Sequence, residues 1–364
     1  MKLAERGRGR TSPNPMVGAL VVRDGRVLGE GFHAAPGEDH AEIAAMKAAV
    51  GEDFTGRLRG ATMVVTLEPC CHHGRTPPCA DALISAGIGR VVVGAVDPSQ
   101  HINGRGLERL REAGVEVEVA EGGLAYRLRR QNDAFRKQVT QGLPFVTYKY
   151  AMTLDGRVAT EGGSSKWISG AESRSRVQQL RSWSDAVMVG AGTLRADDPE
   201  LTVREIPVRR QPLRVVVDSR LELDPDCRLL QTASKGSVLV VTTEGASGEL
   251  RARIEERGAQ VVAVPADERG LCSAGHVARE LAKRGVQSLL LEGGPRLAGS
   301  WWDAGLIDKV IAFVAPVLAG GAAAPGPLPG AGAALMQEAV RLRDLEIEQI
   351  GTDVVVSGYL GEPV

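Results

Sequence analysis

The residues that can do chemistry are concentrated in one short stretch. EPCCHHGRTPPC, at 68–79, holds three cysteines and two histidines of a chain that has 5 cysteines and 6 histidines in all. Upstream, HAE at 40–42 adds a further histidine and a carboxylate. One imidazole with two thiolates makes a three-ligand Zn²⁺ site with one tetrahedral position open, as in catalytic rather than structural zinc centres. We therefore interpret His40, Cys70 and Cys79 as candidate zinc ligands.

Glu42 indicates which zinc chemistry this is. Residues i and i+2 of a helix diverge, so His40 and Glu42 are not equivalent ligands, but a carboxylate in the first turn can reach the open position. There it can take a proton from water and pass it to a leaving amine, and His-x-Glu followed by Pro-Cys-x-x-Cys is typical of zinc deaminases. A structural zinc site needs four ligands and has no use for Glu42. His72 or His73 could supply a fourth ligand, and that alternative stays open.

The spacing of the cysteines departs from this signature. Eight residues separate Cys70 from Cys79, whereas the signature has two residues between its cysteines. Cys71 adjoins Cys70, and because adjacent side chains diverge we interpret Cys71 as a non-ligand. The insert also carries His72, His73 and Arg75, which predicts a substrate-recognition loop at the mouth of the site.

Alternating strands and helices must position these residues. MVGALVVR and RVLGEGF, on either side of Asp24-Gly25, predict a β-hairpin. HAEIAAMKAAV predicts a buried helix, and Pro77-Pro78 and Gly87 predict the start and end of another. Further segments follow in the order strand, helix, strand, then a charged helix that runs to about Lys137. This pattern predicts an α/β sandwich in which two helix N-termini point at one spot and favour thiolates there.

The pattern restarts near Gly142-Leu143-Pro144, where we place a boundary between domains 1–143 and 144–364. Seven strand candidates follow: FVTYKYAM, DAVMVGAG, LRVVVDS, GSVLVVTT, AQVVAV, QSLLLEGG and KVIAFVAPVL. Several are near-continuous apolar runs, as expected of strands covered on both faces. The second half is therefore predicted to be another α/β domain. GGAAAPGPLPGAGAA, at 320–334, is expected to be a flexible surface loop.

Glycine-rich turns in the second half suit phosphate groups. LLLEGGPRLAGS, at 289–300, and VMVGAGTLRADDP, at 187–199, both lead from a strand into a helix start. Neither is Gly-x-Gly-x-x-Gly, so a Rossmann assignment is unsupported. Arg181 and Arg204 flank the second turn and suit a phosphate monoester. Lys149 lies on an otherwise apolar strand, where a lysine needs a partner or a chemical role.

Composition limits the classes of protein to consider. Hydrophobic residues make up 43% and charged residues 24% of 364 residues, which is ordinary for globular domains. The net charge of −1 and the aromatic content of 4% argue against a nucleic-acid partner. No apolar run reaches membrane-spanning length, and MKLAERGRGR lacks the apolar core of a signal peptide. We therefore expect a cytoplasmic protein with reduced thiols.

The motifs PNPMVG at 13–18, HAE at 40–42 and TLEPCCHHGRTPPC at 66–79 resemble the bacterial riboflavin-biosynthesis bifunctional deaminase–reductases. The long insert between the cysteines is that family's own variant of the deaminase signature. The resemblance implies a cytidine-deaminase-like three-layer α/β/α domain with His40, Cys70 and Cys79 on Zn²⁺ and Glu42 as proton shuttle. It also implies a first helix longer than the N-terminus allows. The residues it implies for contacting the substrate are Asn14, His33, His73 and the rest of the loop from His72 to Arg75.

The resemblance extends to the second half through YKYAMTLDGR, SSKWIS, GTLRADDPELTVR, VVVDS and LEGGPRLAGS. It implies a dihydrofolate-reductase-like α/β domain that uses NADPH. The implied NADPH-site residues are Ala151, Trp167, Thr193, Asp197, Ser219, Gly294, Pro295, Arg296, Leu297, Ala298, Gly299 and Ser300. The implied substrate residues are Ser165, Arg181, Leu201, Arg204 and Glu292. Lys149 and Asp197 are the candidate proton donors.

The sequence therefore predicts two enzymes in one chain. The first would hydrolyse an exocyclic amine from a diaminopyrimidinone ribosylamino phosphate, and the second would reduce the ribosyl group to ribityl with NADPH. The implied partners are this phosphorylated pyrimidine and further copies of the chain, with no nucleic acid or membrane. Two alternatives stay open: a zinc deaminase of free bases, nucleosides or tRNA, and a non-catalytic zinc-stabilised binding protein, against which Glu42 counts.

Overall fold

The computed structural model describes residues 1–72, 77–100 and 102–363. Its contacts divide the chain into two units, Met1–Gly142 and Leu143–Glu362. Each unit is built on one mixed sheet with helices, so the predicted α/β class is confirmed. Among the described residues, no helix is long and apolar enough to cross a membrane.

The first unit contains a five-stranded sheet in the order β2-β1-β3-β4-β5. Its strands are β1 (Gly18–Arg23), β2 (Arg26–Phe32), β3 (Thr62–Val65), β4 (Arg90–Val93) and β5 (Glu116–Val119). Its helices are α1 (Lys2–Glu5), α2 (Ala41–Val50), α3 (Cys79–Ala86), α4 (Arg105–Glu112), α5 (Gly122–Gln131) and α6 (Asp133–Gln141). β1 is antiparallel to β2 and β3, whereas β3, β4 and β5 are parallel.

The predicted hairpin is confirmed, with Asp24 and Gly25 in its turn at φ values of 50° and 73°. Positive φ at both central positions matches the twist of the flanking strands and explains the Asp-Gly pair. The single charged helix predicted up to Lys137 is wrong, because the structure has α5 and α6 with Asn132 between them. The Asn132 side chain accepts a hydrogen bond from the Met16 amide and donates one to the Met16 carbonyl, which fixes the break.

Two glycines allow α2 to lie directly on β2. A Cβ on Gly31 would lie 2.3 Å from the carbonyl oxygen of Ala41, and a Cβ on Gly29 would lie 2.3 Å from that of Ala45. Both contacts are shorter than real Cβ atoms tolerate. The alanine-rich inner face of α2 therefore packs against the main chain of β2 rather than against side chains.

The second unit contains a nine-stranded sheet in the order β10-β9-β8-β7-β11-β6-β12-β14-β13. Its strands are β6 (Phe145–Thr153), β7 (Ala186–Gly190), β8 (Leu213–Val217), β9 (Val238–Thr243), β10 (Gln260–Val264), β11 (Ser288–Leu291), β12 (Lys309–Ala315), β13 (Arg343–Ile350) and β14 (Asp353–Tyr359). Its helices are α7 (Ala171–Trp183), α8 (Ala191–Asp197), α9 (Arg228–Gln231), α10 (Gly248–Glu256), α11 (Ala274–Lys283) and α12 (Pro295–Asp303). β6 to β12 are parallel, and β13 and β14 are antiparallel to their neighbours.

All seven strands predicted in this half are present, but sequence reasoning missed the hairpin of β13 and β14. β13 is exposed along nearly its whole length, so it lacks the apolar run that marked the other strands. Residues 320–334 contain no helix or strand, as expected of a loop. They are nevertheless anchored, because Glu161 accepts a hydrogen bond from the Ala323 amide and Arg157 donates one to the Ala324 carbonyl.

The close packing of α2 on β2 predicts the effect of a single added methyl group. Gly31→Ala should lower the free energy of unfolding of the first unit by about 1–3 kcal/mol, the usual cost of overpacking. Urea denaturation would measure this change. Glu30→Ala is the matched control, since Glu30 lies on the same strand with an exposed side chain. Equal stability of the Gly31→Ala and Glu30→Ala variants would contradict the packing argument.

Candidate active sites

Three predicted ligands lie together in the first unit. His40 is the N-cap of α2, Cys79 is the first residue of α3, and Cys70 follows β3. The Nδ1 atom of His40 lies 3.2 Å from the Cys79 sulfur and 3.7 Å from the Cys70 sulfur. Among the described residues this is the cluster whose ligand atoms all lie within 4.8 Å of one another. His72 is exposed and outside the cluster, and His73 and Arg75 lie outside the described residues.

The charges of the cluster suit a cation. A hydrogen bond from the Cys79 thiol lowers the pKa of Cys70 to about 4, assisted by His40. The same contact raises the pKa of Cys79, so the two sulfurs share one proton when no metal neutralises them. The Cys79 amide also donates to the Cys70 sulfur over 3.3 Å, as expected at a helix N-terminus. Two sulfurs and one imidazole nitrogen form a donor set that zinc prefers.

Glu42 lies in the first turn of α2 and is 3% exposed. Burial raises the pKa of its carboxyl to about 7, and its carboxylate contacts the Cys79 thiol. A carboxyl group with such a pKa exchanges protons readily near neutral pH. The structure thus brings Glu42 to the donor cluster without making it one of the three close donors.

Glu68 holds the turn that leads to Cys70, a contribution that sequence reasoning missed. Its buried carboxylate accepts hydrogen bonds from the amides of Asp97, Gly104 and Gly106 at 2.9–3.1 Å. The turn after β3 is thereby tied to the start of α4. The available signal was Glu68 itself, a carboxylate between an apolar strand and a proline, which requires polar partners when buried.

Asn14 and His33, both predicted substrate residues, contact each other beside the cluster. Asn14 Nδ2 lies 3.0 Å from His33 Nε2, and His33 Nδ1 lies 3.0 Å from the carbonyl oxygen of Asp39. Because a carbonyl only accepts, Nδ1 carries the proton and Nε2 accepts from Asn14. Burial lowers the pKa of His33, which keeps the ring neutral. The His33 and His40 ring centroids are 5.4 Å apart.

In the second unit, the predicted residues gather where parallel strands end. Gly294 is the N-cap of α12, Pro295 is its first residue, and the Gly294 amide donates to Thr193 Oγ1 over 2.8 Å. The glycine-rich turn after β11 is thus joined to α8, which follows the neighbouring strand β7. Pro295 has no N–H, and the Leu297 amide donates to the Gly294 carbonyl over 3.1 Å. At the start of α12, the Arg296 amide therefore remains available to a phosphate.

The remaining residues of the predicted 294–300 segment differ in which groups are available to a ligand. Ala298 and Gly299 are buried, and a Cβ on Gly299 would lie 2.1 Å from the Pro329 carbonyl oxygen. The Ser300 hydroxyl donates to the Leu297 carbonyl within the helix. Arg296 is exposed. The segment therefore offers the Arg296 amide and the positive end of the helix dipole rather than a row of side chains.

A second group of predicted residues joins the segment before α7 to the end of α8. The Ser165 hydroxyl donates to Asp197 Oδ1 over 3.4 Å, and Lys166 Nζ donates to the Asp197 carbonyl over 3.2 Å. Trp167 is 72% exposed, with the Arg174 guanidinium over its ring. An exposed indole beside polar groups provides a surface on which a planar ligand can stack.

A buried ion pair lies under this edge of the sheet. Arg181, on α7, donates to both carboxylate oxygens of Glu292 at 2.6 and 3.0 Å, and to the Thr202 carbonyl over 3.2 Å. Lys149 Nζ lies above the Phe313 ring, and Glu292 attracts its charge. Burial lowers the pKa of Lys149. With its guanidinium occupied in this way, Arg181 orients Glu292 beside Lys149.

Other predicted residues lie around this pair. Arg204 is exposed and its only close carboxylate among the described residues, Glu200, is 3.9 Å away, so its guanidinium can receive an anion. Leu201 is buried with φ 56°, a strained conformation that fixes the main chain of its loop. Ala151 lies on β6 opposite Phe313, and Ser219 follows β8.

Comparisons with known proteins match both halves of the chain to families. Residues 1–95 match the cytidine and deoxycytidylate deaminase zinc-binding region, and residues 144–356 match the RibD C-terminal domain. The riboflavin biosynthesis protein RibD of Aquifex aeolicus is 39% identical over 98% of this chain and 95% of its own length. That of Escherichia coli is 38% identical, with 97% and 95% covered.

Solved structures give the same result. The diaminohydroxyphosphoribosylaminopyrimidine deaminase/5-amino-6-(5-phosphoribosylamino)uracil reductase of Thermotoga maritima superposes with a TM-score of 0.83 at 34% identity, covering 99% of this chain and 96% of its own. RibD of Acinetobacter baumannii superposes with a TM-score of 0.84 at 35% identity and the same coverage. The chain therefore belongs to the RibD family of bifunctional deaminase–reductases of riboflavin biosynthesis.

Proposed function

We propose that domain 1–143 hydrolytically deaminates 2,5-diamino-6-(5-phosphoribosylamino)pyrimidin-4-one, and that domain 144–364 then reduces the ribosyl group of the product to ribityl with NADPH. The observation that carries the first assignment is the buried Glu42 carboxyl beside a cluster of three zinc-type donors. The family relationship supports the order of the two reactions and the substrate.

His40, Cys70 and Cys79 would hold Zn²⁺, which lowers the pKa of a bound water towards neutrality. Glu42 would accept a proton from the attacking water and donate a proton to the departing amine, so that a C–O bond forms at the ring carbon, the C–N bond breaks, ammonia leaves and a carbonyl remains. A carboxyl pKa of about 7 suits both transfers, because the group gains and loses the proton with little cost. Burial excludes bulk water from the proton path.

His33 and Asn14 orient the pyrimidine. The neutral His33 ring donates to the Asp39 carbonyl and accepts a hydrogen bond from the Asn14 amide nitrogen. The Asn14 amide oxygen takes no part in these two hydrogen bonds. Among the described residues that oxygen has no donor, which suits an N–H of the substrate. His73 remains a proposed contact to the substrate through the loop before Cys79.

In the reductase domain, NADPH supplies the hydride and the chain positions the open-chain sugar. The Arg296 amide and the positive dipole end of α12 would bind the cofactor pyrophosphate, with Thr193 holding the turn. Arg204 would bind the sugar phosphate, because its guanidinium is exposed and weakly paired. Lys149 would donate the proton that the reduced sugar takes up. Glu292 would hold the Lys149 ammonium and is itself held by Arg181.

We also infer that the protein acts in the cytoplasm on a small molecule rather than on nucleic acid, in keeping with its −1 net charge and 4% aromatic content. It would do so as a homo-oligomer. One face of the β12–β14–β13 region packs on α7 through Val355 and Phe313. The opposite face carries Ile347, which is 67% exposed, next to Val356. A second copy of this chain would cover this apolar face, and β13 has a free edge to pair.

If Glu42 carries the proton, its replacement should reduce the deaminase activity and leave the reductase activity unchanged. Glu42→Gln should slow ammonia release from the diaminopyrimidinone substrate by about 10²- to 10⁴-fold, because the amide cannot carry the proton. Zinc content and NADPH oxidation with the deaminated substrate should stay at wild-type levels. Rapid ammonia release by the variant would remove Glu42 from the mechanism.

The position of Lys149 predicts opposite effects on activity and stability. Lys149→Met should lower NADPH oxidation by about 10²-fold, since the proton donor is gone. The melting temperature at neutral pH should rise, because the pKa of Lys149 is lowered on folding and its charge is therefore unfavourable in the folded state. This stability gain should disappear as the pH rises through the ordinary pKa of lysine. A fully active variant would exclude Lys149 as the donor.

If the exposed sheet face mediates self-association, a charge placed on it should lower the mass of the protein in solution. Ile347→Asp should raise the dissociation constant of the oligomer by about 10-fold or more, because a carboxylate would have to be desolvated in the interface. Light scattering after size-exclusion chromatography measures this. Glu348→Gln, on the same strand, is the control. An unchanged mass for Ile347→Asp would place the contact elsewhere.

A further inference from the structure

One buried carboxylate of the first unit takes no part in the proposed proton transfer, although it lies close to a zinc ligand in sequence. Glu68 is 4% exposed and opens the turn that leads through Pro69 to Cys70. Its Oε2 atom accepts hydrogen bonds from the amides of Asp97 and Gly104 at 3.1 and 3.0 Å. Its Oε1 atom accepts from the Gly106 amide at 2.9 Å. Both oxygens of the carboxylate are therefore bound to the segment that leads from β4 into α4.

The start of α4 also contacts this turn through its main chain. A Cβ on Gly106 would lie 2.1 Å from the carbonyl oxygen of Pro69, closer than real Cβ atoms approach other atoms. The helix therefore lies directly against the turn at this point. The Glu68 amide donates to the Ala95 carbonyl over 2.9 Å, just after β4. The main chain and the side chain of Glu68 are thus held by one support.

This support acts on the position of Cys70. The Cys70 carbonyl accepts from the Ala80 amide over 3.1 Å, and the Cys70 sulfur accepts from the Cys79 amide over 3.3 Å. Those two contacts join Cys70 to α3, the helix that carries the ligand Cys79 itself. Glu68 joins the same turn to α4, a different element. A thiolate binds Zn²⁺ at about 2.3 Å, so even a small displacement of the turn weakens the bond.

The donors around the carboxylate make its charge state important for this contact. Amide N–H groups face both oxygens of Glu68. A glutamine in the same place would turn its NH₂ group towards at least one of these amides, in either orientation of the side chain. Two buried donors that face each other are both left unsatisfied, which costs free energy. Glu68→Gln therefore loosens the turn with almost no change in side-chain volume.

We propose that Glu68 is a positioning residue of the deaminase site: it holds the Cys70 thiolate in place through the start of α4 and so determines how tightly the site retains Zn²⁺. This inference rests on the proposed zinc-dependent deaminase function. Glu68 is outside the donor cluster of His40, Cys70 and Cys79, so it acts through the main chain of the turn rather than as a ligand.

The test measures zinc retention by the full-length protein. Zinc-loaded protein is mixed with the chromophoric chelator pyridylazoresorcinol, and absorbance gives the rate of zinc release and the dissociation constant. Glu68→Gln and Gly106→Ala should each raise both quantities by about 10- to 100-fold, the usual effect of disturbing the groups that support metal ligands. The matched controls are Glu108→Gln, an exposed carboxylate on α4, and Gly123→Ala, where a Cβ meets no atom within 4 Å. Both controls should release zinc at the wild-type rate.

Two further measurements separate positioning from other effects. Ile88→Val removes a buried methyl group from the core of the same unit, so it should lower the free energy of unfolding in urea and leave zinc release unchanged. Saturating zinc should restore ammonia release by Glu68→Gln, whereas Glu42→Gln should stay slow with zinc bound. Faster release from Ile88→Val as well, or no recovery of Glu68→Gln in saturating zinc, would overturn the positioning role.

The remaining outcomes distinguish this inference from the function on which it rests. A wild-type protein that retains zinc, with the same release rate in Glu68→Gln and Gly106→Ala, would overturn the role of Glu68 and leave the deaminase assignment intact. Faster release from Glu68→Gln alone would trace the effect to the charge of Glu68 and would overturn positioning through the turn. A wild-type protein that binds no zinc would overturn both.

Discussion

The carboxyl ends of parallel strands lie along one edge of a sheet, and both sites depend on this constraint. In the first unit, β3 and β4 are parallel, and the turn after β3 brings Cys70 to the start of α3, where Cys79 lies. In the second unit, β11, β7 and β8 end side by side, so turns far apart in sequence become neighbours. Each helix start also adds unpaired amides and a positive dipole end. The same geometry therefore supports thiolates in one unit and suits phosphates in the other.

Burial then determines what the charged groups at these edges can do. Glu42 and Lys149 are both shifted towards neutrality, one with its pKa raised and the other with its pKa lowered by burial. In each case oppositely charged neighbours limit the shift: His40 beside Glu42, and Glu292 beside Lys149. A shift of the pKa towards neutral pH lowers the cost of exchanging a proton, which is the requirement for acid–base catalysis. Arg181 has no such function, because its guanidinium is occupied by Glu292 and Thr202.

Much of the fold followed from sequence because local and global preferences agree. Apolar runs predicted all seven parallel strands of the second unit, and Asp24-Gly25 predicted the first hairpin. The break at Asn132 did not follow, since it depends on hydrogen bonds to Met16, more than a hundred residues away in sequence. β13 was missed because its exposed residues carry no core pattern. The three zinc-type donors and Glu42 were predictable from residue type and spacing, whereas the support from Glu68 requires knowing which amides surround its carboxylate.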